Sequence, residues 1–221
     1  MEQLDCKTVF TIPVFGGIEV TESIVVTWII MAVVVLLSIL ATRNLSVDKP
    51  GKIQLLLESA VQWAQGFFKS TMGPEGDRYI PYLMTVLIYL AVANLIGILG
   101  FKPPTKDLNV TAGLAIMSMI LIEGSGFRVK GFGGKMKAFA QPIAVVLPIN
   151  VMEVLTRPIS LCMRLFGNVL GSFVVMELIK LLVPVLVPIP FTCYFDIFDG
   201  LLQAYVFVFL TALFIGEQVE E

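Results

Sequence analysis

Residues 143–183 read IAVVLPINVMEVLTRPISLCMRLFGNVLGSFVVMELIKLLV. This run of about 41 residues is apolar over most of its length, twice the roughly 20 residues that carry one helix across a bilayer. It nevertheless contains Pro148, Pro158, Glu153, Arg157, Arg164, Asn168, Glu177 and Lys180. Two spans folded as a hairpin would need a turn. Gly167 and Asn168 sit among strong helix formers, and Gly171 with Ser172 is a weak breaker. The pattern predicts one long, steeply tilted helix, bent at its prolines and ended by Pro184, Pro188 and Pro190.

The rest of the chain fits a membrane setting. Of 221 residues 57% are hydrophobic and 14% charged, against roughly 25% charged in a soluble domain, and the mean hydropathy is +0.90. Glu2 and Asp5 stand where a cleavable signal would be basic, and Gly16, Gly17 and Glu19 interrupt any apolar core there. Residues 24–41 then form a first span closed by Arg43. Lys52–Met72 is amphipathic: Ile53, Leu56, Leu57, Ala60, Val61, Ala64, Phe67 and Phe68 recur at helical spacing opposite Gln54, Glu58, Gln62, Gln65 and Lys69. It reads as a helix in the membrane surface, the alternative being a connector packed on the protein. A second span covers about residues 79–100 with Asn94 inside it, placed to bond to a neighbouring helix. A tight loop follows at Pro103 and Pro104. A third span runs over about residues 108–122 and stops at Glu123, a membrane border, before a basic loop of Arg128, Lys130, Lys135 and Lys137. A last helix spans about residues 191–216. The expected fold is all-α and polytopic, with about five crossings and one surface helix. It forms a single membrane domain: residues 1–78 hold the first span and the surface helix, and residues 79–221 the core.

Of the 15 Lys and Arg, five lie between residues 42 and 79 and four between 124 and 141, against Lys7, Lys102 and Lys106 on the other side. Positive-inside counting therefore puts the N-terminus outside and the C-terminus in the cytoplasm of a cell-membrane protein.

Charge in lipid costs about 2.5–3.5 kcal/mol per residue even on insertion scales, so each such residue needs a reason. At 100° per residue, Glu153, Arg157, Arg164, Asn168 and Gly171 fall within about 60° of one another, one polar stripe. Glu153 and Arg157 can pair at i, i+4 and Glu177 and Lys180 at i, i+3, the latter on another face. Arg164 has no partner in its own helix. Asp196, Asp199 and Gln203 follow i, i+3, i+7 on the last helix. A deep arginine opposite a glutamine, with carboxylates leading outward, reads as an ion pathway. Arginine cannot release its proton, so it serves as a fixed charge that attracts a carboxylate and blocks cation leakage. The plainer alternatives are an arginine that ties helices together or snorkels, and aspartates solvated at the interface.

Other classes are excluded or weakened. With no histidine, HExxH zinc sites, Ser-His-Asp triads and histidine relays are impossible. Cys6, Cys162 and Cys193 are too scattered for a disulfide framework or a metal cluster. No phosphate loop occurs, and Val129 breaks the pattern begun by Gly124 and Gly126. An aspartyl protease dyad needs carboxylates meeting from two helices, whereas Asp196 and Asp199 share one. A net charge of −2 without a basic stripe argues against nucleic acid. A secondary transporter predicts inverted repeats, which are not visible. A scaffold would tolerate loss of Arg164.

Residues 157–168, RPISLCMRLFGN, closely resemble the signature of subunit a of the F-type ATP synthase. Residues 202–207, LQAYVF, resemble that family's last-helix motif, and residues 104–111, PTKDLNVT, its loop between the second and third spans. The resemblance covers about residues 80–215. It implies a stator subunit lying against a rotating ring of c subunits, beside the subunit b peripheral stalk and the remaining synthase subunits. Two offset half-channels would load and unload the ring carboxylates. Arg164 would separate them, Asn168 would line the ring-facing path, and Gln203 would face Arg164. ATP chemistry would belong to other subunits, and no catalytic residue, cofactor or metal is expected here. Many relatives carry Glu nine residues after this arginine and His seven before this glutamine; here those positions hold Phe173 and Asp196. Asp196, Asp199 and Glu177 are therefore the expected outer relay, with Glu153 and Arg157 supporting. H⁺ is the expected ion, Na⁺ the alternative.

Overall fold

The computed structural model describes residues 8–12, 18–43, 45–46, 51–99, 103–140, 147–182 and 188–220. Ile143, Val183, Pro184, Lys7, Lys102, Cys6 and the residues Glu2, Asp5, Gly16 and Gly17 lie outside these. Strands β1 (Thr8–Ile12) and β2 (Ile18–Thr21) pair antiparallel, an element that the all-α reading did not include. Helices follow: α1 (Glu22–Thr42), α2 (Lys52–Met72), α3 (Ile80–Leu95), α4 (Leu108–Ala140), α5 (Leu147–Leu182), the short α6 (Pro188–Thr192) and α7 (Gly200–Glu220). Among the described residues, five helical stretches are long and apolar enough to cross a membrane: Glu22–Thr42, Pro74–Ile98, Leu108–Gly131, Pro148–Leu181 and Pro190–Val219. The protein is an all-α polytopic membrane protein.

The long apolar run is one helix. Its 36 residues reach about 54 Å at 1.5 Å per residue, against a hydrocarbon core about 30 Å thick. For all of it to fit within that thickness it would lean by roughly 55°. Pro158 sits inside it, and Gly167 and Gly171 do not interrupt it.

Three sequence boundaries are corrected. The third span does not stop at Glu123 but continues to Gly131. The helical run breaks there because Gly131 takes φ +67° and ψ 169°, and it resumes to Ala140. The basic stretch is thus helical rather than a loop. Glu123 is not a simple membrane border: the buried Lys135 ammonium returns to its carboxylate and donates to its backbone carbonyl at 3.1 Å. Gly126 makes room, since a Cβ there would lie 2.7 Å from Lys135 Nζ. The third correction concerns the last span, where a π-helical turn, Cys193–Asp199, separates α6 from α7. Asp196 and Asp199 therefore do not share the α-helical spacing with Gln203 on which the sequence reading rested.

The core lies where α3, α4 and α7 meet, with Leu161 and Leu165 from α5 and Phe68 and Met72 from α2 packed against them. Small residues, among them Ala93, Ala204 and Ala212, are fully buried there and let apolar helices approach closely where lipid offers no hydrophobic gain. At Gly200 an added Cβ would lie 3.0 Å from Asn94 Cβ, and at Gly216 it would lie 2.8 Å from the Thr71 carbonyl. Helix α2 therefore packs on α7 along one edge while Ile53, Leu56 and Trp63 stay exposed. Helix α1 is peripheral, with Leu36, Leu37, Ile39 and Leu40 each more than half exposed. Its start is tied down by the Thr21 hydroxyl, which donates to Asp107 at 2.8 Å.

Candidate functional site

Helix α5 meets the last span, α7 and the π turn before it, through three polar links. The Arg157 guanidinium donates to Glu217 at 3.0 Å and to Glu153 at 2.7 Å, with Phe214 packed 4.8 Å beneath it. Asn168 Nδ2 donates to Gln203 Oε1 at 2.6 Å. The Ser172 hydroxyl lies 3.2 Å from Asp199 Oδ2. Arg157, Asn168 and Ser172 ascend α5 while Glu217, Gln203 and Asp199 descend the last span, so the two run antiparallel.

Arg164 lies between the first two links. It is exposed and makes no hydrogen bond or ion pair among the described residues. Its surroundings on α5 are Met163, Val174 and Val175, all exposed, and Gly167 and Gly171, where an added Cβ would meet nothing within 4 Å. Arg164 thus stands exposed on the polar stripe of α5 between Arg157 and Asn168, with the small residues Gly167 and Gly171 beside it. Gln203 is 2% exposed, and its amide oxygen accepts from Asn168, one helical turn beyond Arg164 on α5.

Beyond Gln203 a cleft of about 440 Å³ opens between α3, α5 and the last span. Glu177, Asp196, Asp199, Lys180, Ser172 and Gln203 line it with Asn94 and Phe173. The Glu177–Lys180 pair forms as expected, at 3.2 Å, but on the same cleft as the aspartates. At about 30 Å³ per water, the cleft has room for on the order of ten. The Asp196 carboxylate is seated on the backbone of Gly97, where an added Cβ would lie 3.2 Å from its oxygen. Asn94 fixes the floor: its Nδ2 donates to the Gly200 carbonyl at 2.8 Å, and its Oδ1 accepts from Thr105 at 2.9 Å. The packing role expected of Asn94 is what its contacts show.

Four residues at the site were not singled out by sequence. Glu217 follows Gln203 by 14 residues, within about 40° on a helical wheel, so extending the last-helix stripe would have found it. Ser172 and Gly97 carry no signal of their own. Lys106 was counted among the outer charges, yet it is buried with Nζ 3.6 Å from the centre of the Phe173 ring.

Among the described residues, five helices long and apolar enough to cross a membrane, one of them 36 residues long, define a multi-pass membrane protein. The family of the ATP synthase A chain matches residues 24–216, and the chain belongs to it. It is 38% identical over 205 residues to ATP synthase subunit a of Moorella thermoacetica, covering 92% of this chain and 93% of that one. To ATP synthase subunit a 2 of a Bradyrhizobium species it is 36% identical, covering 92% and 91%. A protein of Propionigenium modestum named ATP synthase subunit a, sodium ion specific, is 29% identical over 90% of this chain and 74% of its own. Family membership makes the chain a membrane-sector subunit of an F-type ATP synthase, taking part in ATP synthesis and ion transport within a multi-subunit complex.

Proposed function

We propose that the whole chain is one membrane unit that conducts H⁺ to and from the carboxylates of a c-subunit ring, coupling ion flow to rotation without catalysing any ATP chemistry itself. The observation that carries this reading is the placement of Arg164. It is unpaired among the described residues and exposed on a glycine-bearing face of α5, while the carboxylate-lined cleft opens around the helix from it. A ring carboxylate arriving at that face would meet a guanidinium that attracts it in a low dielectric and cannot give up a proton.

In this reading the outer half-channel is the cleft, with Asp196, Asp199 and Glu177 as its relay. Asn168 and Gln203 mark its inner end, and Glu153, Arg157 and Glu217 stand towards the cytoplasmic side. The bias of lysine and arginine supports an outside N-terminus and a cytoplasmic C-terminus in the cell membrane. The subunit b stalk would hold the chain against the torque of the ring.

A second reading, Na⁺ coupling, has one observation in its favour. Asp196, Asp199 and Glu177 line the cleft, and hard carboxylate oxygens suit a hard cation; the sodium-specific relative has the same family framework. ATP-driven ion uptake by the whole complex in sealed liposomes separates the two. Acid uptake that needs no Na⁺ and collapses with a protonophore supports H⁺. Na⁺ uptake that survives the protonophore overturns H⁺ and makes the cleft carboxylates cation ligands.

A further inference from the structure

We propose that Ser172 is a positioning residue whose hydroxyl follows the protonation of Asp199 and links the cleft to the Arg164 face of α5; the inference rests on the ion-conducting reading above. The argument begins with the helix. Taking Arg164 as zero and 100° per residue, Val169, Phe173, Met176, Glu177 and Lys180 point between about 120° and 220°, into the cleft. Asn168 lies at about 40°, on the edge of the Arg164 face. Ser172 falls at about 80°, on the seam between the two. On this side of α5, Ser172 is the polar side chain between the cleft sector and Asn168 at the edge of the Arg164 face.

The hydroxyl is placed for two acceptors, the Asn168 carbonyl at 2.8 Å and Asp199 Oδ2 at 3.2 Å. A serine has one proton to donate and oxygen lone pairs to accept with. With Asp199 ionised, the hydroxyl proton points to the carboxylate, because a charged acceptor makes the stronger bond. The Asn168 carbonyl keeps its own place in the helical ladder. When Asp199 takes a proton from cleft water, its new O–H donates to Ser172 Oγ and the serine proton turns to the Asn168 carbonyl. Asp199 gains one proton; the serine O–H bond only rotates and never breaks. In both states the proton shared between Ser172 and Asp199 has an acceptor, so the pair can change charge without losing its hydrogen bond. The charged groups facing this pair are Asp196 from the same π turn and Glu177 and Lys180 from α5, with Lys106 held across Phe173 from the turn Pro104–Lys106.

A serine bonded to the carbonyl four residues back is also common as a purely local feature. The experiment therefore compares S172T with S172V, which have nearly equal volume and differ in the hydroxyl, and adds S172A as a smaller variant without one. The assay is ATP-driven proton uptake by the whole complex in liposomes, without Na⁺. S172T is expected to keep at least half of the unaltered rate, and S172V and S172A to fall about tenfold. In a D199N background Thr, Val and Ala should be alike. Equal rates for Thr and Val with Asp199 intact, or an unimpaired S172A, would overturn the proposal. An R164A control separates the two levels: if R164A still pumps, the functional reading falls; if R164A is inactive while the three Ser172 variants match, only the serine inference falls.

Discussion

Asn94→Ala tests whether the floor of the cleft is held by side-chain bonds. Asn94 is 5% exposed and Thr105 0%, and the amide joins the start of α7 to the turn before α4 through bonds of 2.8 and 2.9 Å. Alanine leaves the Thr105 hydroxyl buried without its acceptor, which costs about 1–3 kcal/mol. The Gly200 carbonyl keeps its helical bond, so its loss adds about 0.5–1.5 kcal/mol. Membrane-protein cycles average nearer 0.6 kcal/mol per bond, which sets the lower bound, so the expected cost is about 1–4 kcal/mol. For a chain of this length each kcal/mol moves the midpoint by about 2–4 °C. Thermal release of this chain from the detergent-solubilised complex should therefore occur about 2–16 °C lower. The second half of the prediction is non-additivity: once Asn94 is gone, Thr105→Ala removes the stranded hydroxyl and should cost little more, leaving the double variant about 1 kcal/mol below the sum of the singles. An unchanged midpoint, or two costs that simply add, would refute the reasoning.

Three further outcomes are expected. Gly131→Ala forces an L side chain into a backbone region that is essentially reserved for glycine and should lower stability by about 1–3 kcal/mol, read as a lower release temperature. Glu217→Gln should cost at most about 1 kcal/mol because that carboxylate is 45% exposed. Arg157→Ala should cost clearly more, since it frees two carboxylates and loses the Phe214 contact; equal midpoints for the two variants would contradict the triad. Asp196→Asn combined with Asp199→Asn should lower ion-driven ATP synthesis at least tenfold while leaving ATP hydrolysis by the detached catalytic sector unchanged, and intact synthesis would remove the aspartates from the pathway.

What could be read from the sequence followed from length and charge. A run too long for one upright span and without a turn reads as one long helix, and α5 is a single helix over Leu147–Leu182. The Glu153–Arg157 and Glu177–Lys180 pairs form because intrahelical spacing alone decides them. The third span was cut short because Glu123 was weighed as a lone charge; its lysine partner lies 12 residues on, past a glycine whose positive φ turns the chain back, and no local pattern encodes that reunion. The N-terminal hairpin was missed although Val9, Ile18 and Val20 are β-branched and a glycine pair lies between the two strands. The π turn at Cys193–Asp199 changed the spacing of the aspartates, yet both still line the cleft, because the wider turn is absorbed before Gly200 packs against Asn94. The Gln203–Asn168 bond depends on how two helices cross, which spacing along one of them does not reveal.

The most direct test of the central claim is ATP-driven ion uptake by liposomes bearing the complex with Arg164→Ala, beside Arg164→Lys. The account predicts that both fail to accumulate ions, because Ala removes the fixed charge and an ammonium lacks the planar fork and can lose its proton. Normal uptake in either variant would contradict it.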